Sequence, residues 1–211
     1  MKYLGVIPAR GGSKGVHKKN IKNICGKPLI YWSIKAASDS QAISDFLIST
    51  EDQEIAKVAQ SFEASVDIRP QHLSRDQATT ISVIQDLAKR LPDVENFIVL
   101  QPTSPLRTGA LIDQCINQFE KGSYNTLATG FYCKCQEYGS HNNDRRQDHK
   151  GFFYDDGNIY ILNKKHVLNE LWFGEKIRKF AIDKQYNFEI DDTVDFVVLE
   201  ALMNKYLLKE E

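Results

Sequence analysis

The apolar positions of this chain fall into two alternating patterns, short continuous runs and helical repeats. Residues Lys2–Pro8 form a mostly apolar run, as expected of a buried strand, and a glycine-rich stretch follows. Gly26-Lys27-Pro28 predicts a helix start with proline at the first helical position, where no N–H is needed. Phe46–Thr50 reads as a second strand, and Asp52 is placed to cap a helix on which Ile55, Val58, Ala59 and Phe62 share a face. A short strand is expected at Ser65–Ile68. A helix from about Ala78 follows, with Ile81, Ile84, Ala88 and Leu91 on one side, and it stops at Pro92. Phe97–Leu100 is again apolar throughout, and Ile112, Cys115, Ile116 and Phe119 mark another amphipathic helix.

Strands that alternate with helices of this length imply crossover connections and parallel pairing. The expected fold is therefore α/β, a doubly wound and mostly parallel sheet, with residues 1–211 forming one domain. The stretch from Cys133 to Lys150 breaks the rhythm. It is polar and basic, and predicts a protruding loop or hairpin tip within an excursion at about 133–156. Regular structure should resume at Phe152–Tyr154 and Gly157–Leu162. A final helix from about Thr193 is expected to bury the face that carries Val194, Val197, Val198, Ala201 and Leu202.

Composition removes some function classes. Lys and Arg number 27 against 28 Asp and Glu, so the net charge of -1 provides no global attraction to nucleic acid or to an anionic membrane. Any anion site must be a local cluster. No apolar segment approaches the roughly 18 residues of a membrane span, and a cytoplasmic protein is expected. The four cysteines are too few and scattered for a disulfide framework, and Cys133-x-Cys135 lacks both the spacing and the second pair of a zinc site. The histidines show no partner pattern for metal binding or nucleophilic catalysis.

Three polar segments sit where strands end, the end at which open α/β sheets bind ligands. The first runs from Pro8 to Asn20 and contains Arg10, Gly11, Gly12, Ser13, Lys14, Gly15 and Lys19. It matches neither the Walker A spacing nor the dinucleotide fingerprint. Its glycines would still let backbone N–H groups approach an anion, and its cations supply charge-assisted donors. A tight surface turn with solvated lysines has the same composition. The second, Gln101–Arg107, contains two prolines that rigidify the exit of a buried strand; taken alone it equally suits a structural turn. In the third, Phe188–Asp195, alternation along an extended chain points Glu189 and Asp191 the same way, fit for one Mg²⁺. Asp192 and Asp195 suit a variant capping box instead.

Together these segments resemble the acylneuraminate cytidylyltransferases, the CMP-sialic acid synthetase family. The family's A-R-x-G-S-K-G-x-x-x-K-N signature is matched by Ala9–Gly15 through Lys19-Asn20, and its L-Q-P-T-S-P-L-R strand end by Leu100–Arg107. Arg69-Pro70 with Leu73, Asp76, Ala78 and Thr80 is similar to its nucleotide-contacting segment, Gly157–Ile161 to G-x-I-Y-I, and Glu189-Ile190-Asp191 to its metal-binding D-I-D. The resemblance implies a Rossmann-like nucleotidyltransferase that uses CTP and Mg²⁺ to activate an acidic 2-keto sugar, releasing pyrophosphate. It implies catalytic roles for Arg10, Lys19 and Asp191. Ala9, Arg10, Gly11, Ser13, Lys14, Lys19, Asn20, Arg69, Ala78 and Thr80 would bind nucleotide, Gln101, Thr103 and Asp156 the sugar, and Glu189 and Asp191 the metal. A homodimer formed through the excursion is also implied.

The chain departs from the family in three places. Glu189 replaces the first aspartate of the metal pair, and His17 stands where many members have proline. Tyr154-Asp155-Asp156 occupies the approach where sialate-type members carry Arg-x-Asn-Gly, leaving Arg145, Arg146 or Lys150 as stand-ins for a carboxylate-binding arginine. Two alternatives stay open: a transferase for another nucleotide or sugar, and a non-catalytic nucleotide-sugar-binding regulator.

Overall fold

A computed structural model describes residues 1–13, 15–75, 77–140, 142 and 145–208. The apolar run at the N-terminus forms β1 (Tyr3–Pro8), and a small ladder joins β2 (Asn23–Ile24) to β3 (Lys27–Pro28). The crossovers follow in order: α1 (Leu29–Asp39), β4 (Asp45–Thr50), α2 (Gln53–Gln60), β5 (Ser65–Ile68), α3 (Thr80–Arg90) and β6 (Asn96–Leu100). Beyond them come α4 (Gly109–Glu120), β7 (Thr126–Cys133), β8 (Phe152–Asn163), α5 (Lys164–Leu168), β9 (Ile177–Ala181) and α6 (Thr193–Tyr206).

The sheet has seven strands in the order β5-β4-β1-β6-β8-β7-β9. Pairing is parallel except where β8 runs against both β6 and β7, so the doubly wound, mostly parallel expectation holds. One face packs Ile7, Ile48, Ile98 and Ile161 against α1, α2 and α4; the other packs Val6, Phe97, Val99 and Leu162 against α3 and α5. Full burial of such side chains contributes about 1.5–3 kcal/mol each. Among the described residues, no helix is long and apolar enough to cross a membrane.

Local signals account for most boundaries. Asp52 Oδ1 accepts the Glu54 and Ile55 N–H groups at 2.7 and 3.1 Å and starts α2, although Phe62 lies past the helix end. Pro28 is the extended N-cap of α1 rather than its first helical residue, because it still pairs with Asn23 across the β2–β3 ladder. The excursion is a hairpin, in which β7 and β8 pair out to Cys133–Phe152. Two sheet strands, β7 and β9, occupy segments to which the apolar pattern assigns none.

The expected face of α6 is corrected. Val194, Val197, Val198 and Ala201 are exposed, while Phe196, Leu199 and Met203 enter the core. This helix is apolar on more than one side, so periodicity did not single out a face, and the bulkier set took the interior. Its N-terminus is a reciprocal capping box as expected. Asp192 Oδ1 accepts from the Val194 and Asp195 N–H groups at 2.7 and 3.2 Å, and Asp195 accepts from the Asp192 N–H at 2.9 Å. Asp192→Ala should therefore lower stability by about 1 kcal/mol. Urea denaturation checks this, and an unchanged midpoint would refute the cap's contribution.

Candidate functional site

The three polar segments converge on an open groove of 540 Å³ beyond the carboxyl ends of β1 and β6. An apolar cluster beneath them brings this about. Val16 from the glycine loop, Leu106 from the proline-rich turn and Ile190 from the acidic segment are all buried together against Phe196, Leu199 and Met203. Backbone contacts complete the junction, because the Ile190 N–H donates to the Thr103 carbonyl at 2.9 Å. Lys19 Nζ donates to the Ile190 and Asp191 carbonyls at 2.6 and 3.3 Å. Gly15 passes so close that a Cβ there would stand 2.2 Å from the Asp191 carbonyl oxygen, which only glycine permits.

With Ile190 turned inward, Glu189 and Asp191 both line the groove, as alternation predicts. Burial, with Asp191, Asp156 and Asp155 nearby, pushes the Glu189 carboxyl up to about 7, while Lys19 opposes the shift. Arg10, Lys19 and Arg69 supply positive charge along the same walls. Asn20 lines the groove while donating to the Arg10 carbonyl at 2.9 Å, which fixes the loop around its first cation. Ser13, Ala78 and Thr80 line it as well, as do Gln101 and Thr103.

Three of the expected site residues that the structure describes are not on these walls. Ala9 is fully buried and extends the ladder, donating its N–H to the Ser49 carbonyl at 2.9 Å. Gly11 directs its N–H to Glu51 Oε1 at 2.8 Å rather than into the groove. Lys14 lies outside the described residues. Asp156, expected beside the sugar, is only 3% exposed. Its Oδ1 accepts Thr129 Oγ1–H at 2.7 Å and the Asn158 N–H at 3.1 Å, inside an irregularity where β8 turns inward between its pairings with Gly130 and Ala128. Burial holds its carboxyl above the usual carboxylate range.

Asp156 is instead a buried acid near enough to Arg107 to favour its charge. That guanidinium donates to Ser33 Oγ at 2.6 Å and the Gln101 carbonyl at 2.8 Å through Nη2, and to the carbonyl and side chain of Asn158 through Nη1. Burial lowers its proton affinity, Asp156 opposes this, and the arginine stays charged. Arg107 thus joins the end of β6 to the β8 irregularity below the groove floor. The basic tip residues stay away: Arg145 pairs with Asp148 at 2.8 Å, and neither it nor Arg146 nor Lys150 lines the groove. Glu51 and Arg107 contribute to the site outside the expected set, although Arg107 belongs to the Leu100–Arg107 strand-end motif. Nothing in the local pattern around Glu51 announces its contact with Gly11, 40 residues away.

A family model described as cytidylyltransferase matches residues 4–210. The N-acylneuraminate cytidylyltransferase of Streptococcus agalactiae is 30% identical over 231 residues, covering 100% of this chain and 56% of that protein. The chain thus spans about half the length of the curated relatives it matches first. A relative of similar length, the post-translational flagellin modification protein B of Campylobacter coli, is 30% identical over 223 residues, covering 96% of this chain and 95% of its own. A solved CMP:2-keto-3-deoxy-manno-octonic acid synthetase, complexed with CTP, superposes with a TM-score of 0.80 at 14% identity over 98% of this chain and 100% of that one, a likeness of fold.

The raised Glu189 carboxyl has a consequence for stability. Between the ordinary value of 4.5 and about 7, the unfolded chain has released this proton while the native state retains it. Its contribution is therefore complete below 4.5 and is lost as pH rises through about 7. In chelator, Glu189→Gln should melt progressively higher than the parent as pH rises through that window. A melting difference independent of pH would refute the assignment.

Proposed function

The chain belongs to the cytidylyltransferase family, and from that premise we propose that it transfers the CMP group of CTP to an acidic 2-keto sugar, sialic acid or a related nonulosonic acid, and releases pyrophosphate. One observation carries the reading: Lys19 is bonded to the backbone of the acidic segment, so the cations of the glycine loop and the Glu189–Asp191 pair face one groove. Polyphosphate needs the first group and its accompanying dication the second.

In this reading Arg10, Ser13 and Lys19 hold the phosphates, and the same part falls to Lys14. Asn20, Arg69, Ala78 and Thr80 receive the nucleoside at the far wall. Gln101 and Thr103 face the sugar, with Gln101 anchored from below because Arg107 grips its carbonyl. Asp156 lies in the core, so it sets no carboxylate against an acidic sugar. The reacting bond forms between the anomeric hydroxyl oxygen and the α-phosphorus as the bond to pyrophosphate breaks. Such a step depends chiefly on alignment and on neutralised phosphate charge. Arg10 and Lys19 provide that neutralisation from fixed positions, so no reorganisation is needed as charge moves to the leaving group.

Glu189 and Asp191 fit Mg²⁺. Two carboxylates held close enough to raise one proton affinity form an oxygen donor set with excess negative charge. Among the described residues no cluster of three or more acidic, histidine or cysteine side chains forms a complete cage. That suits an ion usually held by one or two carboxylates together with substrate phosphates. Bound there, Mg²⁺ would supply further neutralisation of the phosphate oxygens. Exposed Tyr132, Phe152 and Tyr154 on the hairpin suit the contact surface of a homodimer.

Pyrophosphate release should be strongest with CTP among the four common nucleoside triphosphates, should require a nonulosonic acid and should stop in chelator. Asp191→Ala should lower turnover by about a hundredfold or more while leaving the melting temperature close to the parent's. No release with CTP and any nonulosonic acid would sink the proposal. Undiminished turnover in Asp191→Ala would remove the metal role.

A further inference from the structure

Just before α2, two consecutive acids turn back toward the glycine loop. Asp52 fills the space beside Gly11, where a Cβ would stand 2.3 Å from its Oδ2. Glu51 reaches further. Its Oε1 accepts the Gly11 N–H at 2.8 Å, and its Oε2 lies 3.3 Å from Arg69 Nε. One carboxylate therefore touches both the glycine loop and the neighbouring Arg69 guanidinium, which also lines the groove.

The Arg69 side chain is 6% exposed, yet the residue lines the groove. Its Nη2 donates to the Ser49 carbonyl at 2.8 Å, and its backbone N–H donates to the Thr50 carbonyl at 3.0 Å. Glu51 faces Nε by charge without an aligned hydrogen bond. Nη1 makes no hydrogen bond among the described residues, so its donors are the ones left for a ligand. A guanidinium is planar, so fixing its Nε side and Nη2 fixes the direction of Nη1 as well. Burial works against the charge on Arg69, and Glu51 is the foremost group working for it.

We infer that Glu51 is a positioning residue for nucleotide recognition, acting through Arg69 and the Gly11 peptide. It fixes the plane of the Arg69 guanidinium and the orientation of the Gly11 peptide with the same carboxylate, and so sets the nucleoside end of the groove in register with the phosphate end. Glu51 itself touches no ligand. The inference rests on the nucleotide reading of the groove and adds to it a determinant of base preference.

Calorimetric titration of CTP and UTP into the parent, Glu51→Gln, Glu51→Ala, Arg69→Ala and the Glu51→Ala/Arg69→Ala double variant tests it, with a thermal melt of each to confirm folding. Glu51→Ala should weaken CTP binding by about tenfold or more and narrow the CTP-over-UTP preference. Glu51→Gln keeps an oxygen for the Gly11 N–H and should fall between it and the parent. In the Arg69→Ala background the Glu51→Ala change should cost clearly less than in the parent, because only its hold on the Gly11 peptide is left to lose. Losses that multiply in the double variant, or an unchanged base preference in both Glu51 variants, would overturn the inference while leaving the nucleotide reading intact. A parent protein that binds neither nucleotide would overturn both.

Discussion

The groove depends on a small apolar cluster that contains none of the groove's polar chemistry. Val16, Leu106 and Ile190 are between 0% and 4% exposed, and each is a buried apolar residue contributed by a largely polar segment. Burying each contributes about 1.5–3 kcal/mol. That is enough to hold a geometry which the like charges of Glu189 and Asp191 would otherwise push apart. The same burial decides the direction of those charges. In an extended chain, Ile190 pointing inward obliges its two neighbours to point outward, and a slip of one residue would bury both acids. α6 closes the cluster from outside with Phe196, Leu199 and Met203, so the last helix is tied structurally to the site although none of its residues lines it.

Charge of both signs lines the groove, and Glu51 partly compensates it at Arg69. Lys19 could have paired with an acidic side chain, but its ammonium is spent on two backbone carbonyls. The Glu189 and Asp191 carboxylates remain open to the groove, and Glu189 holds its proton more tightly than usual because nothing nearby fully compensates it. Arg10 and Arg69 are close enough for Arg10 to work against the charge on Arg69. Cations and two carboxylates along the same walls form a cleft of mixed charge. A polyphosphate with its dication is complementary to such a cleft, whereas a simple anion would meet only half of it.

The legible parts of the fold were those whose burial is one-sided or total. β1 and β6 are apolar along nearly their whole length, and α4 buries all four residues that helical spacing selects. By contrast, α3 buries Ile84 and Ala88 of its expected face and leaves Ile81 half-buried. β9 escaped detection because it is an edge strand with alternate residues only half-buried, and β7 because Thr126, Thr129 and Gly130 interrupt its apolar content. For the groove, glycine spacing and the Glu189–Asp191 alternation led to the right walls, since both depend on neighbouring residues. Asp156 and Glu51 were misjudged or missed because their partners lie far along the chain: Thr129 is 27 residues from the first, and Gly11 is 40 from the second. A one-dimensional pattern carries no information about such pairings.

Under the proposed assignment of phosphate, nucleoside and sugar, the two halves of the groove differ in how firmly they are built. The phosphate-side walls come from β1 and the acidic segment, locked by the shared cluster and by Lys19, and the nucleoside-side wall is tied to β4 by the bond from Arg69 to Ser49. Changes there would strain several segments at once. The sugar side rests on Gln101, Thr103 and the β8 irregularity, supported from below by Arg107 and Asp156. Beyond that support the chain leaves the sheet core as a hairpin, where Tyr132, Phe152 and Tyr154 are exposed and substitution meets few packing constraints. A fold constructed this way can retain its nucleotide while its acceptor changes. Of this chain's departures from its family, Tyr154–Asp156 lies toward that permissive side, whereas Glu189 and His17 fall within the firmly built segments.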